Sequence, residues 1–211
     1  MTDSVKTWGG VAIAAIKTYS GIAKASVKSI GGVPAGLTYA TFDPAHKGNN
    51  AALSGGNLIL TNSTSTVHAP ARATIGKSAG KWWYEFTIAS VNNVLIGLVQ
   101  AATATADGDY PGAYSTSWGY AQNGNWLTNA TPAALGATFT VGDVIRCEAD
   151  LDGHTVAWFK NNAQQGTAKA LTAGQTYYPC VSVYQTSQGT ANFGASASAG
   201  TPTAGFSGWS V

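Results

Sequence analysis

Gly80-Lys81-Trp82-Trp83-Tyr84-Glu85-Phe86-Thr87-Ile88 is the stretch whose reading decides the fold. Apolar residues recur on alternate positions and aromatics fall on both faces, the pattern of a strand inside a two-layer core. Outward from it, Val94-Leu95-Ile96-Gly97-Leu98-Val99, Asn57-Leu58-Ile59-Leu60, Val144 to Leu151, Thr155 to Lys160 and Tyr177 to Tyr184 are runs of the same kind. Asp152-Gly153 and Asn161-Asn162 supply turns on either side of the Thr155 run. No stretch carries a convincing helical period, and many short strands with frequent turn signals predict an all-β sandwich or barrel. Trp118, Tyr120, Trp158 and Phe193 fall in such strands and are expected in the core.

Composition narrows the function. The 211 residues hold 11 Lys+Arg and 9 Asp+Glu, a net charge of +2 from only 9% charged residues. Soluble proteins average about 25%. Aromatics at 10% and hydrophobic residues at 45% exclude a disordered chain. So sparse a basic complement speaks against nucleic acid, whose phosphates need clustered Lys and Arg. No apolar run nears the ~20 residues of a membrane-spanning helix, and Val11 to Ile16 is too short for a signal-peptide core. Neither nucleic acid nor membrane insertion is expected.

The first 36 residues are a repeat. Lys6-Thr7-Trp8-Gly9-Gly10-Val11-Ala12 aligns with Lys17-Thr18-Tyr19-Ser20-Gly21-Ile22-Ala23 and with Lys28-Ser29-Ile30-Gly31-Gly32-Val33-Pro34. The glycines argue against a helix with an eleven-residue period, since each costs about 1 kcal/mol there. They predict two-residue hairpin turns joining segments of about nine residues, one strand and one turn per copy. The segment holds four lysines against one acid, a local charge of +3, while the remaining chain has seven basic and eight acidic residues. Trp8, Val11, Ile13, Ile16, Tyr19, Ile22, Val27 and Ile30 are its candidate docking or oligomerisation residues, because such apolar alternation is wasteful in a free tail. Residues 1–36 therefore form a docking segment and 37–211 a sandwich domain.

Chemistry is hard to find. Glu148, Asp150 and Asp152 share one strand face by their spacing, and Glu85 could face them as the second carboxylate of a hydrolase. A blander arrangement accounts for them better: Asp150 and Asp152 close a turn, Glu85 satisfies neighbouring backbone and Glu148 faces solvent. His46, His68 and His154 sit in predicted loops far apart, and no Gly-x-Ser-x-Gly elbow, GxGxxG or P-loop is present. Cys147 and Cys180 read as small hydrophobes in strands, joined by a disulfide only if their strands pair. Asp107-Gly108-Asp109 is a weak calcium signal without further acidic ligands. No enzyme, cofactor or metal is expected.

A binding surface remains. The loops Asp109-Tyr110-Pro111-Gly112-Ala113-Tyr114, Asn123-Gly124-Asn125-Trp126 and Tyr184-Gln185-Thr186-Ser187-Gln188 combine aromatics with Asn, Gln, Gly and Pro. Flat rings stack on sugars while amides pair with hydroxyls, and Tyr and Trp also dominate protein hot spots. Asp109, Tyr110, Tyr114, Asn125, Trp126, Tyr184 and Gln185 are the candidate ligand-binding residues, with core packing the competing role for each aromatic.

The ordered motifs also resemble a family. Gly80 to Glu85, Ile96-Gly97-Leu98, Ser117-Trp118-Gly119-Tyr120, Gly142-Asp143-Val144-Ile145, Asp150-Leu151-Asp152-Gly153, Trp158-Phe159-Lys160-Asn161, Tyr177-Tyr178-Pro179 and Ala191-Asn192-Phe193-Gly194 are similar to a SPRY (B30.2-like) domain over about 170 residues. With Phe42 to Gly48 ahead of the first strand, the chain resembles the bacteriophage tail-fibre versions, and the eleven-residue repeats resemble the starts of phage virion proteins. Asn162 departs from the family's usual Gly after Asn161. The resemblance implies a bent, concanavalin-like sandwich of two antiparallel sheets that recognises a partner through loops. It further implies a virion appendage, assembled in the bacterial host cytoplasm. Such a chain is expected to be a homotrimer held to other virion proteins by its N-terminal repeats, with the domain turned toward a host-surface glycan or protein. The competing expectation is a purely structural component, a capsid decoration, head fibre or tail tip.

Overall fold

The computed structural model describes residues 37–62 and 66–211, and within residues 1–36 the backbone of the short strands named next. Two compact units divide the chain, Met1–Leu37 and Thr38–Val211. In the first, β1 (Thr7–Trp8) pairs with β2 (Val11–Ala12), β3 (Thr18–Tyr19) with β4 (Ile22–Ala23) and β5 (Ser29–Ile30) with β6 (Val33–Pro34). The registers match at eleven-residue spacing: Trp8 opposes Val11, Tyr19 opposes Ile22 and Ile30 opposes Val33. Each copy thus contributes two strands rather than one, because the residues flanking its own glycine-containing pair bond to each other. The expected nine-residue segments, with Ile13, Ile16 and Val27, extend outside the described residues.

The second unit is a sandwich of two sheets. The seven-stranded sheet runs β15 (Thr131–Ala134), β14 (Asn125–Thr128), β13 (Ser117–Ala121), β12 (Asn93–Gln100), β19 (Tyr177–Tyr184), β10 (His68–Ala73) and β7 (Phe42–Lys47). Its partner runs β18 (Ala163–Ala170), β17 (Thr155–Lys160), β16 (Val144–Asp150), β11 (Lys81–Ser90), β20 (Gln188–Asn192), β9 (Ile59–Thr61) and β8 (Ala52–Ser54), with β21 (Ser207–Gly208) beside the start of β11. Every pairing is antiparallel except β11 with β21.

Alternation sorts each strand's faces. Tyr84, Phe86 and Ile88 of β11, with Ile145, Cys147, Val156 and Trp158, meet Val94, Ile96, Leu98, Trp118, Tyr120, Val181 and Val183 in one core. Trp118, Tyr120, Trp158 and Phe193 are all buried, as the sequence predicts. Two polar tips cross between the sheets: Trp158 Nε1 donates to the Ile96 carbonyl at 2.9 Å, and the Tyr84 hydroxyl to the Gly97 carbonyl at 2.6 Å. Each satisfies a group that would be expensive to bury alone. The cysteines are free and buried, Cys147 in one sheet and Cys180 in the other, so their strands do not pair.

Candidate functional site: the outer face of the seven-stranded sheet

Strand β10 reads His68-Ala69-Pro70-Ala71-Arg72-Ala73. Its three alanines point into the core, so His68, Pro70 and Arg72 stand on the outer face. His68 is therefore a strand residue, not the loop residue expected, and it pairs with Tyr184 of β19. His46 is likewise in a strand, β7, where its Nδ1 lies 2.7 Å from Asp43 Oδ2. Residues 101–116 lie against this outer face. Gly119 of β13 lets them approach, since a Cβ there would sit 2.0 Å from the Pro111 carbonyl oxygen. At the start of this segment Arg72, 6% exposed, donates to the Ala101 carbonyl at 3.0 Å and stacks its guanidinium 4.1 Å from the Tyr178 ring centre.

An aromatic cluster results. The His68 ring sits 5.1 Å from Tyr110 and 5.2 Å from Tyr184, between the two. His68 Nδ1 lies 3.1 Å from Ser182 Oγ, and that hydroxyl donates to the Asp109 carbonyl at 3.3 Å. Asp109 braces its own loop: Oδ2 accepts the Ala106 amide at 2.8 Å and Oδ1 accepts the Tyr114 hydroxyl at 2.5 Å. Tyr114 is nonetheless 41% exposed. Its hydrogen bond to the Asp109 carboxylate is the main force holding the phenol above its usual range. Beside Tyr184, Gln185 and Thr186 adopt left-handed φ of 33° and 44°. Asn92 Nδ2 donates to Gln185 Oε1 at 2.7 Å, Ser90 Oγ to the Thr186 carbonyl at 2.6 Å, and the Asn92 amide to Ser187 Oγ at 2.8 Å. Backbone held in so sparsely populated a region, by contacts this dense, is a pattern found at recognition loops.

Five of the seven candidate residues, Asp109, Tyr110, Tyr114, Tyr184 and Gln185, thus gather around His68. Asn125 and Trp126 do not join them. Both lie in β14, where Trp126 opposes the inward Tyr120 and packs half-buried against the core, with Lys169 Nζ 4.9 Å from its ring centre. Trp126 is on the inner face of the sheet that carries Tyr184 on its outer one. The sequence reading missed His68, Asn92 and Ser182. The signal for His68 was present in the alternate alanines of β10, but Pro70 and weak strand formers hid it.

Burial lowers the His68 pKa to about 4 from 6.5. As pH falls through 6.5 the unfolded chain takes up this proton and the folded chain does not, so stability declines between pH 6.5 and 4 and then levels off. The decline is expected to be at most about 3 kcal/mol, and less because the ring is only partly buried. Thermal melts at pH 7 and pH 4 check this. His68→Gln should lose less stability than wild type over that range, and an equal loss would show that His68 does not carry it.

The carboxylates are differently employed. Glu85 and Arg146 oppose each other across β11 and β16 on the outer face of the other sheet, and Glu148 shares that face. Arg146 Nε donates to Glu148 Oε1 at 2.8 Å, and one of its terminal nitrogens lies 3.9 Å from Glu85 Oε1. Residues 195–206 cross above them. Ser198 Oγ and the Ala199 amide donate to Glu85, and the Thr203 amide donates to Glu148 at 2.9 Å. Glu148 is only 3% exposed, which corrects the expectation that it faces solvent: the crossing segment covers it. Asn162, with a φ of 71°, accepts from both Arg146 and the Thr201 amide, a role for which glycine has no side chain. Asp150 accepts the Gly153 amide and closes its turn as expected, whereas Asp152 does not close one: it reaches across to accept the Gly80 amide ahead of β11. Asp107 accepts the Asn50 amide, another loop-bracing role.

Residues 81–196 match the SPRY domain family. The chain belongs to the SPRY family. The crystal structure of the SPRY domain of human HERC1 superimposes with a TM-score of 0.60 at 24% identity, covering 71% of this chain and 96% of that one. A second human SPRY domain gives 0.56 at 16% identity, over 68% of this chain and 95% of its own. These likenesses establish the fold, a SPRY sandwich. The E3 ubiquitin-protein ligase RKP of Arabidopsis thaliana is 31% identical over 146 residues, 65% of this chain. The match takes in only 11% of the length of that relative. SPRY domains are protein-binding modules.

Proposed function

We propose that this chain is a displayed recognition protein. Its SPRY domain binds a protein or glycan on a host surface through the Tyr110–His68–Tyr184 face, and its N-terminal repeats attach it, in several copies, to a virion appendage. The observation that carries the recognition reading is the braced aromatic cluster: two tyrosines flank a histidine on an outer face, with Asp109, Tyr114, Asn92 and Gln185 already hydrogen-bonded. Pre-organised rings of this kind lose little entropy on binding. The virion reading rests on the eleven-residue repeats ahead of the domain, and several copies would turn weak single-site binding into avidity. The chain acts by binding rather than catalysis on this reading, since Glu85 and Glu148 are occupied by Arg146 and by backbone amides.

The test is binding of the full chain to a panel of intact bacterial cells and to a glycan array. Tyr110→Ala/Tyr114→Ala/Tyr184→Ala is expected to weaken binding at least about 100-fold, the range of a lost hot spot. Trp126→Ala/Lys169→Ala, on the inner face, should leave affinity within about threefold. A folded chain that binds no cell or glycan, yet binds purified virion proteins, would replace this reading with the purely structural role.

A further inference from the structure

Between residues 195–206 and the outer face of β11 and β16 lies a cavity of about 170 Å³. Glu85, Val144, Arg146 and Asn162 line it from the sheet side, and Ala199 and Gly200 from the crossing segment. The Arg146 and Glu85 side chains are only 3% and 4% exposed, so buried charges of both signs face this space. Gly200 lets the segment come close, since a Cβ there would lie 2.5 Å from Asn162 Oδ1. That oxygen accepts from Arg146 Nη1 at 2.9 Å and from the Thr201 amide at 3.1 Å, which fixes the wall in place.

These groups do not exhaust one another. A guanidinium has five N–H donors and a carboxylate about four acceptor sites. Arg146 donates through Nε to Glu148 and through Nη1 to Asn162, and its Nη2 makes no hydrogen bond among the described residues. Nor is Nη2 sealed from solvent, because Arg72 Nε is the one sealed side-chain polar atom without a partner among them. Glu85 accepts Ser198 Oγ and the Ala199 amide and keeps further acceptor capacity. Asn162 Nδ2 is unused as well, in an exposed residue. The cavity therefore presents donors and an acceptor side by side, held rigid by the bonds already made.

The complement of such a lining is a neutral group that both donates and accepts. An anion would meet Glu85, with Glu148 behind it, and a cation would meet Arg146. A hydroxyl does both at once. The volume exceeds the ~30 Å³ share of a water and falls below the ~300 Å³ where drug-sized sites begin, the scale of one sugar ring. Adjacent hydroxyls on a ring can also use several convergent polar groups, whereas a single amide side chain cannot. We infer that this cavity is a second binding site, for one neutral hexose, with one hydroxyl donating to Glu85 and its neighbour accepting from Arg146 and Asn162. It lies on the opposite sheet from Tyr184 and does not depend on the recognition face proposed above.

The test is nuclear magnetic resonance of the full chain titrated with D-glucose, D-galactose and D-mannose to about 100 mM, enough to fill a millimolar site. At least one sugar should shift the Ala199, Gly200 and Thr201 amides and the Asn162 side-chain amide saturably. The expected dissociation constant is on the order of 1 mM, as suits so small a ligand. Ala199→Phe fills the cavity while keeping its backbone amide on Glu85, and Asn162→Gly removes a donor at a φ of 71° that glycine adopts freely. Each should weaken binding at least about tenfold, while Tyr110→Ala/Tyr114→Ala/Tyr184→Ala leaves the same shifts in place. Absence of saturable shifts at these amides with every sugar would overturn the inference, as would both cavity variants binding like wild type. Shifts produced by acetamide and by none of the sugars would overturn it in favour of an amide side chain. Sugar shifts retained by a chain that binds no cell or glycan array would sink the proposed function alone.

Discussion

Arg146→Met is expected to destabilise the domain by about 3–5 kcal/mol, the range for breaking a buried ion pair from one side. Glu85 and Glu148 would remain beneath residues 195–206 with their backbone donors but without a cation, and both carboxylate side chains are under 5% exposed. The effect should be local before it is global. Amides of Ala199 and Thr203, which donate to those carboxylates, should lose hydrogen-exchange protection first. Adding Glu85→Gln and Glu148→Gln should return part of the loss, because a neutral set no longer buries unpaired charge. Denaturant melts of the three proteins, wild type, Arg146→Met and the triple variant, decide it: a triple variant no more stable than Arg146→Met would mean that the guanidinium acts by packing on Phe159, 4.5 Å from its ring centre, and not by charge.

Trp158→Ala should cost a comparable amount, about 3–5 kcal/mol, by opening a cavity between the sheets. Trp158 is fully buried and is among the largest side chains in the core. Its loss also removes the indole hydrogen bond to the Ile96 carbonyl in the facing sheet, a further penalty of about 1 kcal/mol. Trp158→Phe separates the two effects, since it retains most of the volume and loses only the donor. Either alanine or methionine substitution takes a large share of the 5–15 kcal/mol that holds a typical domain folded. Melting temperatures should fall by on the order of 10 °C. A Trp158→Ala protein that melts with wild type would refute the inter-sheet role given to this residue.

By itself the sequence determined the central strands of both sheets, the turns beside β17 and the core, but not β7 or β14, which it read as a segment ahead of the first strand and as a loop. Trp82 to Ile88 alternates, Asn161-Asn162 closes a two-residue turn with both φ positive, and the aromatics of the strand motifs are buried, because side-chain period and turn chemistry are local properties. Strand β10 escaped that reading: Pro70 and Arg72 do not look like a strand between two neighbours, and only pairing with β19 and β7 makes them one. The tertiary structure alone decided the site. Period two says that neighbouring residues face opposite ways but not which way is in, nor what will cover the outer side. Trp126 therefore went to the inner face through its register with Tyr120, while Tyr110 and Tyr184, distant in sequence, met across His68. Glu148 was legible as an outer-face carboxylate. That it is buried followed only from residues 195–206, which cross the sheet from beyond its last long strand and have no local signal of where they will lie.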